Sequence, residues 1–275
     1  MTAEVSSAMS RSLLFLHGWG VTPQSYRAGL DLVANAGFDV LAPAQPGFGG
    51  TPALRGKQCS FQGYASWAAA YLRQAEVELP VAVVGHSFGG GVAIQLAHDH
   101  PDLVHSLVVC NSVGGPVRWS ASGTSVPMAR RPLWDWGLEL GTDLMDLSAI
   151  PRVLPAVLEG ALPNLLRSPL ALVRVAGVVM RAHLLDEARR VAQSGKPITV
   201  VWSDRDGLVP HSAFAALCHA ASTKGLVVEG PHSWLIANPT RFADVVLTSL
   251  ADAGIFDSLG SARDHEGSSR PAKQL

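Results

Sequence analysis

The chain has 275 residues, 48% of them hydrophobic and 16% charged, and a formal net charge of -1. That length suits one large α/β domain, or a core with a smaller insertion, and is ample for a sizeable buried core. A near-neutral charge without a long basic run excludes the electrostatic footprint of a nucleic-acid or anionic-membrane binder, and leaves a small molecule as the expected partner.

Residues 1–10 are small, polar and aperiodic, and are expected to form a disordered lead-in. Ser12 to Leu16 reads as a strand ending in His17-Gly18-Trp19-Gly20. Pro23 then opens a helix that runs through Leu30 and Val33 until Gly37 ends it, and Phe38 to Ala42 is the next strand. The segment from Pro43 to Thr51 is too rich in proline and glycine for a regular element and reads as a loop at a strand's end. From Phe61 to Leu79 the apolar residues fall at helical spacing.

The next stretch organises the chain. Val81-Ala-Val-Val is short, apolar and β-branched, Gly85-His-Ser87-Phe-Gly89 follows, and Val92, Ile94, Leu96 and Ala97 mark a helix that Pro101 stops. Taken alone, Gly-x-Ser-x-Gly fits an ordinary turn about as well as a reactive one. Between a strand and a helix it has a mechanical meaning: the serine sits on a strained turn with its hydroxyl projecting at the sheet edge, and the glycines allow strand and helix to pass closely. Ser87 is therefore expected to be a nucleophile.

His105 to Asn111 supplies another buried strand, and strand–helix alternation to this point argues for a mostly parallel sheet with helices on both faces. Alternation stops from Ser112 to about Gly195, where prolines punctuate short apolar segments and no strand is evident. Pro169 to Met180, interrupted by Arg174, reads as a buried or amphipathic helix. Trp119, Trp134 and Trp136 could wall a pocket there, although packing within the insertion is the plainer reading. Alternation resumes with a strand at Pro197–Trp202, a helix from Pro210 through Leu217, a strand at Gly225–Glu229 and a closing helix through Leu250, with Asn238 as cap and Pro239 in its first turn. The expected organisation is a core built from residues 11–111 and 196–257, a helical cap over 112–195, and disordered tails at 1–10 and 258–275.

A serine hydroxyl is a weak nucleophile near neutrality; it needs a base, and the base needs a carboxylate to fix its tautomer. Asp206 follows one strand and His232 another, so in an open parallel sheet Ser87, Asp206 and His232 share the carboxyl edge. Cys59, Cys110 and Cys218 are odd in number, widely spaced and without a Cys-x-x-Cys pair, so neither a disulfide framework nor a zinc knuckle is expected and a reducing cytoplasm fits best. No metal site or cofactor is implied, and no apolar run approaches the length of a signal peptide or membrane span.

These motifs, in the order Ser, Asp, His, resemble the α/β-hydrolase superfamily from about Ser12 to Leu250. The resemblance implies that His17-Gly-Trp-Gly20 is an oxyanion loop, with the backbone N–H groups of Trp19 and Phe88 as donors, and that His17 buttresses that turn. It favours Asp206, in Asp206-Gly-Leu-Val-Pro210, over Asp204 as the acid; some relatives place the acid after the preceding strand, which here ends in Asn111-Ser112. His86 is expected to line the elbow. An aspartate often stands in relatives where this chain has Gln45, and eleven residues before Ser12 are too few for the family's leading hairpin, which implies a sheet truncated at one edge. Cleavage of carboxylic esters of small or medium apolar substrates is the implied activity. Hydrolysis of C–C bonds in ring-cleavage products and non-catalytic ligand binding are the alternatives.

Overall fold

A computed structural model of the chain describes residues 11–115, 118–121, 124–127, 158–159 and 162–255. The expected tails and Trp134 and Trp136 lie outside these residues, as does the side chain of Trp119. In chain order the elements are β1 (Ser12–Leu16), a 3₁₀ turn (Pro23–Tyr26) leading into α1 (Arg27–Asn35), β2 (Asp39–Leu41), α2 (Phe61–Gln74), β3 (Val81–His86), α3 (Phe88–Asp99) and β4 (Val104–Cys110). There follow β5 (Arg118–Ala121), β6 (Thr124–Pro127), α4 (Leu162–Arg167), α5 (Pro169–Val179), α6 (Leu185–Gln193), β7 (Ile198–Ser203), α7 (His211–Ala220), β8 (Leu226–Val228), α8 (Trp234–Ala237) and α9 (Pro239–Asp252).

Six strands form one parallel sheet in the order β2-β1-β3-β4-β7-β8. The apolar runs of β1, β3 and β4 are buried throughout, as strands covered on both faces must be. Their side chains alternate between two cores. Leu14, Leu16, Val83 and Val109 pack with α2, α3, α6 and α7, whereas Leu13, Phe15, Val84 and Val108 pack with α1 and α9. The register sets Leu16 beside Gly85, His86 beside Cys110 and Cys110 beside Val201, so the carboxyl ends of the central strands share one edge. Every segment that carries a candidate site residue leaves the sheet there.

The structure departs from the sequence reading between residues 112 and 195. Residues 118–127 contain an antiparallel pair, with Trp119 opposite Val126 and Ser120 opposite Ser125, where no strand was expected. The signal was the dipeptide Ser122-Gly123, a turn sequence between two short β-compatible runs. The other described elements of this stretch are helices, and α5 follows the expected Pro169–Met180 segment closely. Helix α2 ends at Gln74, short of Leu79, because Ala75 is already extended; its start is fixed by Ser60, whose Oγ accepts the Gly63 N–H at 3.2 Å. Asn238 caps α9 in the same way, accepting the Arg241 N–H at 3.0 Å.

Candidate active site

Ser87 occupies the turn between β3 and α3 with φ 52° and ψ −114°, a backbone conformation that a residue with a Cβ rarely adopts and that costs about 1–3 kcal/mol. Four backbone hydrogen bonds hold it there. Its N–H donates to Cys110 O at 2.9 Å, and its carbonyl accepts from Gly90, Gly91 and Val113 at 3.1–3.3 Å. The flanking glycines are required by contact: a Cβ on Gly89 would lie 2.1 Å from Leu16 O, and one on Gly85 would lie 2.5 Å from Gly89 O. Helix α3 begins at Phe88, so its amino end, with the partial positive charge of the helix dipole, adjoins the serine.

His232 and Asp206 meet after β8 and β7. His232 Nδ1 lies 2.9 Å from Asp206 Oδ2, and both side chains are buried. A carboxylate can only accept here, so Nδ1 carries a proton, and in the neutral ring Nε2 is then the nitrogen with the lone pair. Asp206 receives three further bonds: Leu208 and Val209 donate their N–H to Oδ1 at 2.8 Å each, and Asn111 Nδ2 donates to Oδ2 at 2.5 Å. Burial alone would raise this carboxyl's pKa. The attraction of His232, with the hydrogen bonds from His232, Asn111 and Val209, outweighs burial and holds the pKa below the usual carboxylate range. Asp204 is placed otherwise: Oδ1 accepts the Gly230 N–H at 2.9 Å and the side chain stays half exposed.

The loop after β1 is pinned from several sides. His17 Nδ1 donates to Gly18 O at 2.8 Å, its Nε2 accepts the Gln45 N–H at 2.9 Å, and Gln45 Nε2 donates to His17 O at 2.7 Å. Burial, opposed by the bond to Gly18 O, lowers the His17 pKa to about 4 and keeps the ring neutral. His17 is thus the buttress that the sequence implied, and Gln45 serves it through both backbone and side chain. Trp19 reaches across to α5, its Nε1 donating to Leu172 O at 2.9 Å. Asn164 of α4 fastens the same region, accepting from Gly49 N–H at 2.8 Å and donating to Gly20 O at 3.2 Å.

Ser87, His232, Gly18 and Trp19 open into one cavity of about 350 Å³. Its walls are apolar: Leu165, Leu172, Val173 and Val179 come from α4 and α5, and Leu208 and Ile236 from the core. No Asp, Glu, Lys or Arg lines it among the described residues. Also among the described residues, no group of three or more His, Cys, Asp and Glu could hold a metal ion, and no helix is long and apolar enough to cross a membrane.

Sequence reasoning passed over Tyr26, Asn111 and Asn164. Asn111 stood out as the non-carboxylate end of β4, yet nothing in its local pattern showed that it would face Asp206. Tyr26 reads as one more apolar residue at the start of a helix. Asn164 sits in a segment whose docking periodicity does not encode.

A family model described as alpha/beta hydrolase fold matches residues 11–140. The chain is 25% identical over 248 residues to a non-heme haloperoxidase-like protein of Mycobacterium phage D29, covering 87% of each chain. It is 39% identical over 137 residues to the pimeloyl-[acyl-carrier protein] methyl ester esterase of Aromatoleum aromaticum, covering 47% of this chain and 46% of that protein. A hydrolase from Oleispira antarctica superposes with a TM-score of 0.70 at 13% identity, covering 88% of this chain and 91% of the other. A thermophilic esterase from Thermogutta terrifontis superposes with a TM-score of 0.65 at 18% identity, covering 88% and 90%. With its parallel sheet and strand–turn–helix elbow, this chain has the α/β-hydrolase fold.

Proposed function

We propose that this protein is a serine hydrolase that cleaves carboxylic esters with a small or medium apolar acyl or alcohol part. The observation that carries this reading is the strained Ser87 turn opening, together with a His232 held by Asp206, into one uncharged apolar cavity. His232 Nε2 takes the proton of Ser87 Oγ as the hydroxyl attacks the ester carbonyl, and the backbone N–H groups of Trp19 and Phe88 receive the oxyanion. Collapse of the tetrahedral intermediate releases the alcohol, which takes the proton from His232. The acyl-enzyme is then hydrolysed by water that His232 activates. Asp206 stays ionised throughout and stabilises the imidazolium. The insertion helices α4 and α5 serve as a cap whose side chains bury the apolar part of the substrate. The esterase names among the relatives fit this reading.

Hydrolysis of ring-cleavage dienoates is the weaker reading, because such substrates carry a carboxylate and no cation lines the described cavity. The test is Ser87→Ala assayed on p-nitrophenyl esters of increasing chain length. Loss of turnover and of fluorophosphonate labelling in a folded variant is expected. Undiminished turnover overturns the mechanism, and a wild-type protein that neither turns over nor labels is a binder.

A further inference from the structure

Tyr26 lies in the 3₁₀ turn before α1, and its ring is buried against Phe15 and His86. Its hydroxyl sits between two segments of the candidate site. Gly18 N–H donates to Tyr26 Oη at 3.2 Å, and Tyr26 Oη lies 2.7 Å from His86 Nδ1. On its other side, His86 Nε2 lies 3.1 Å from His232 O. A backbone carbonyl can only accept, so Nε2 carries the His86 proton, Nδ1 accepts, and Tyr26 must donate to it. The chain of bonds therefore runs one way: Gly18 N–H to Tyr26 Oη, Tyr26 O–H to His86 Nδ1, His86 Nε2–H to His232 O.

From this geometry we infer that Tyr26, acting through His86, is a positioning residue that holds the oxyanion loop and the His232 loop in a common register. The inference rests on the ester-hydrolase reading above. The peptide between His17 and Gly18 is held at both ends, its carbonyl by Gln45 Nε2 and its N–H by Tyr26 Oη. The next peptide has its carbonyl, Gly18 O, taken by His17 Nδ1. In a planar trans peptide the N–H points opposite to the carbonyl, so these bonds fix the direction of the Trp19 N–H. Gly18 is required in the arrangement, since a Cβ there would lie 2.9 Å from His86 Nδ1 and 3.1 Å from Tyr26 Oη. Burial, with the nearby His232, lowers the His86 pKa to about 3, and a neutral ring is what the one-way chain demands.

Tyr26→Phe deletes a single oxygen and leaves the Gly18 N–H without its acceptor, while His17 and Gln45 still hold the loop. The outcome is a loosened donor in a folded protein. With p-nitrophenyl butyrate, kcat is expected to fall about tenfold, the scale of one hydrogen bond, and KM to stay within about twofold. An alkylboronic acid, whose tetrahedral serine adduct places an oxygen in the oxyanion site, should bind more weakly by the same factor as kcat falls. His86→Leu should give the same signature, and the double variant should lose no more than the worse single one, because both cut the same chain. Wild-type kcat with wild-type boronate affinity in Tyr26→Phe overturns the inference, as does a double variant whose losses multiply. Should Tyr26→Phe melt below the assay temperature, His86→Gln is judged by the same two readings. Turnover that survives Ser87→Ala defeats the ester-hydrolase reading itself, whereas an inactive Ser87→Ala beside a wild-type-like Tyr26→Phe defeats only this inference.

Discussion

Asp206→Asn tests the acid through its hydrogen bonds. The native carboxylate accepts four of them: Leu208 and Val209 N–H on Oδ1, Asn111 Nδ2 and His232 Nδ1 on Oδ2. An amide offers one oxygen and one NH₂, so the NH₂ must confront one of these two donor pairs. Turned toward Leu208 and Val209, it sets donors against two buried backbone donors. Turned toward His232, it can donate to Nδ1 only if the imidazole proton moves to Nε2, and that tautomer cannot take a proton from Ser87. The second arrangement leaves one mismatch, with Asn111 Nδ2, which costs about 1–3 kcal/mol of stability. Its effect on rate is larger: kcat/KM should fall about 10⁴-fold, the loss seen when the acid of a Ser-His-Asp triad becomes an amide, or about 5 kcal/mol of transition-state stabilisation. Initial rates of p-nitrophenyl butyrate hydrolysis, with circular dichroism as the folding control, measure it. A folded variant that loses less than tenfold refutes the assignment of Asp206.

Two further outcomes follow from the buried histidines and the cavity. His17 and His86 have pKa values lowered to about 4 and about 3 in the fold, against an ordinary value of 6.5, so below pH 6.5 the unfolded chain binds protons that the native state refuses. Their contribution to stability is complete above pH 6.5 and is lost as the pH falls toward 4, by about 1.4 kcal/mol per pH unit for each, or about 4 kcal/mol for the pair between pH 6.5 and 5. Asp206, whose pKa is depressed, adds a loss in the same direction at still lower pH. Urea midpoints should therefore drop from pH 7.5 to pH 5, and equal midpoints would contradict the buried neutral rings. Ala176→Phe places a ring in a half-buried position on the cavity wall. Each acyl methylene it displaces costs about 0.8 kcal/mol, close to fourfold, so the ratio of octanoate to acetate ester kcat/KM should collapse; an unchanged ratio would place the acyl chain elsewhere.

The parallel core was legible because its strands are short, β-branched and buried on both faces, and its helices carry caps and stops such as Asn238-Pro239 and Gly37. The elbow was legible because Gly85 and Gly89 are dictated by backbone contacts under 3 Å that any sequence making this turn must accommodate. The β5–β6 pair escaped notice because four-residue strands carry too little alternation to stand out among prolines. The bonds of Tyr26, Asn111 and Asn164 escaped for a different reason. Apart from the Gly18–Tyr26 bond, each joins residues tens of positions apart, Asn111 to Asp206 and Asn164 to Gly20 among them, and no local period records which distant loop a polar side chain will meet.

Asn111 shows how the sheet edge gives different surroundings to two aspartates that are only two residues apart in sequence. It sits just past β4 with φ 46°, a left-handed conformation that asparagine tolerates better than most side chains. That turn carries its amide between β7 and the loop after β8. Nδ2 donates to Ser203 Oγ and Asp206 Oδ2, Oδ1 accepts the Trp234 Nε1–H at 2.8 Å, and the Ser203 hydroxyl in turn donates to Pro231 O at 2.9 Å. The ends of three strands are thus knitted around the carboxylate that faces His232. Asp204 receives a backbone N–H from Gly230 and lies 3.9 Å from Arg205 Nε, at a half-exposed position where solvent competes for its charge. A carboxylate at position 111 would meet Asp206 across a contact of 2.5 Å, and two carboxylates that close cannot both remain ionised. An amide there leaves the Asp206 carboxylate to face the imidazole alone, which is the arrangement that the proposed mechanism requires of a cation forming on His232.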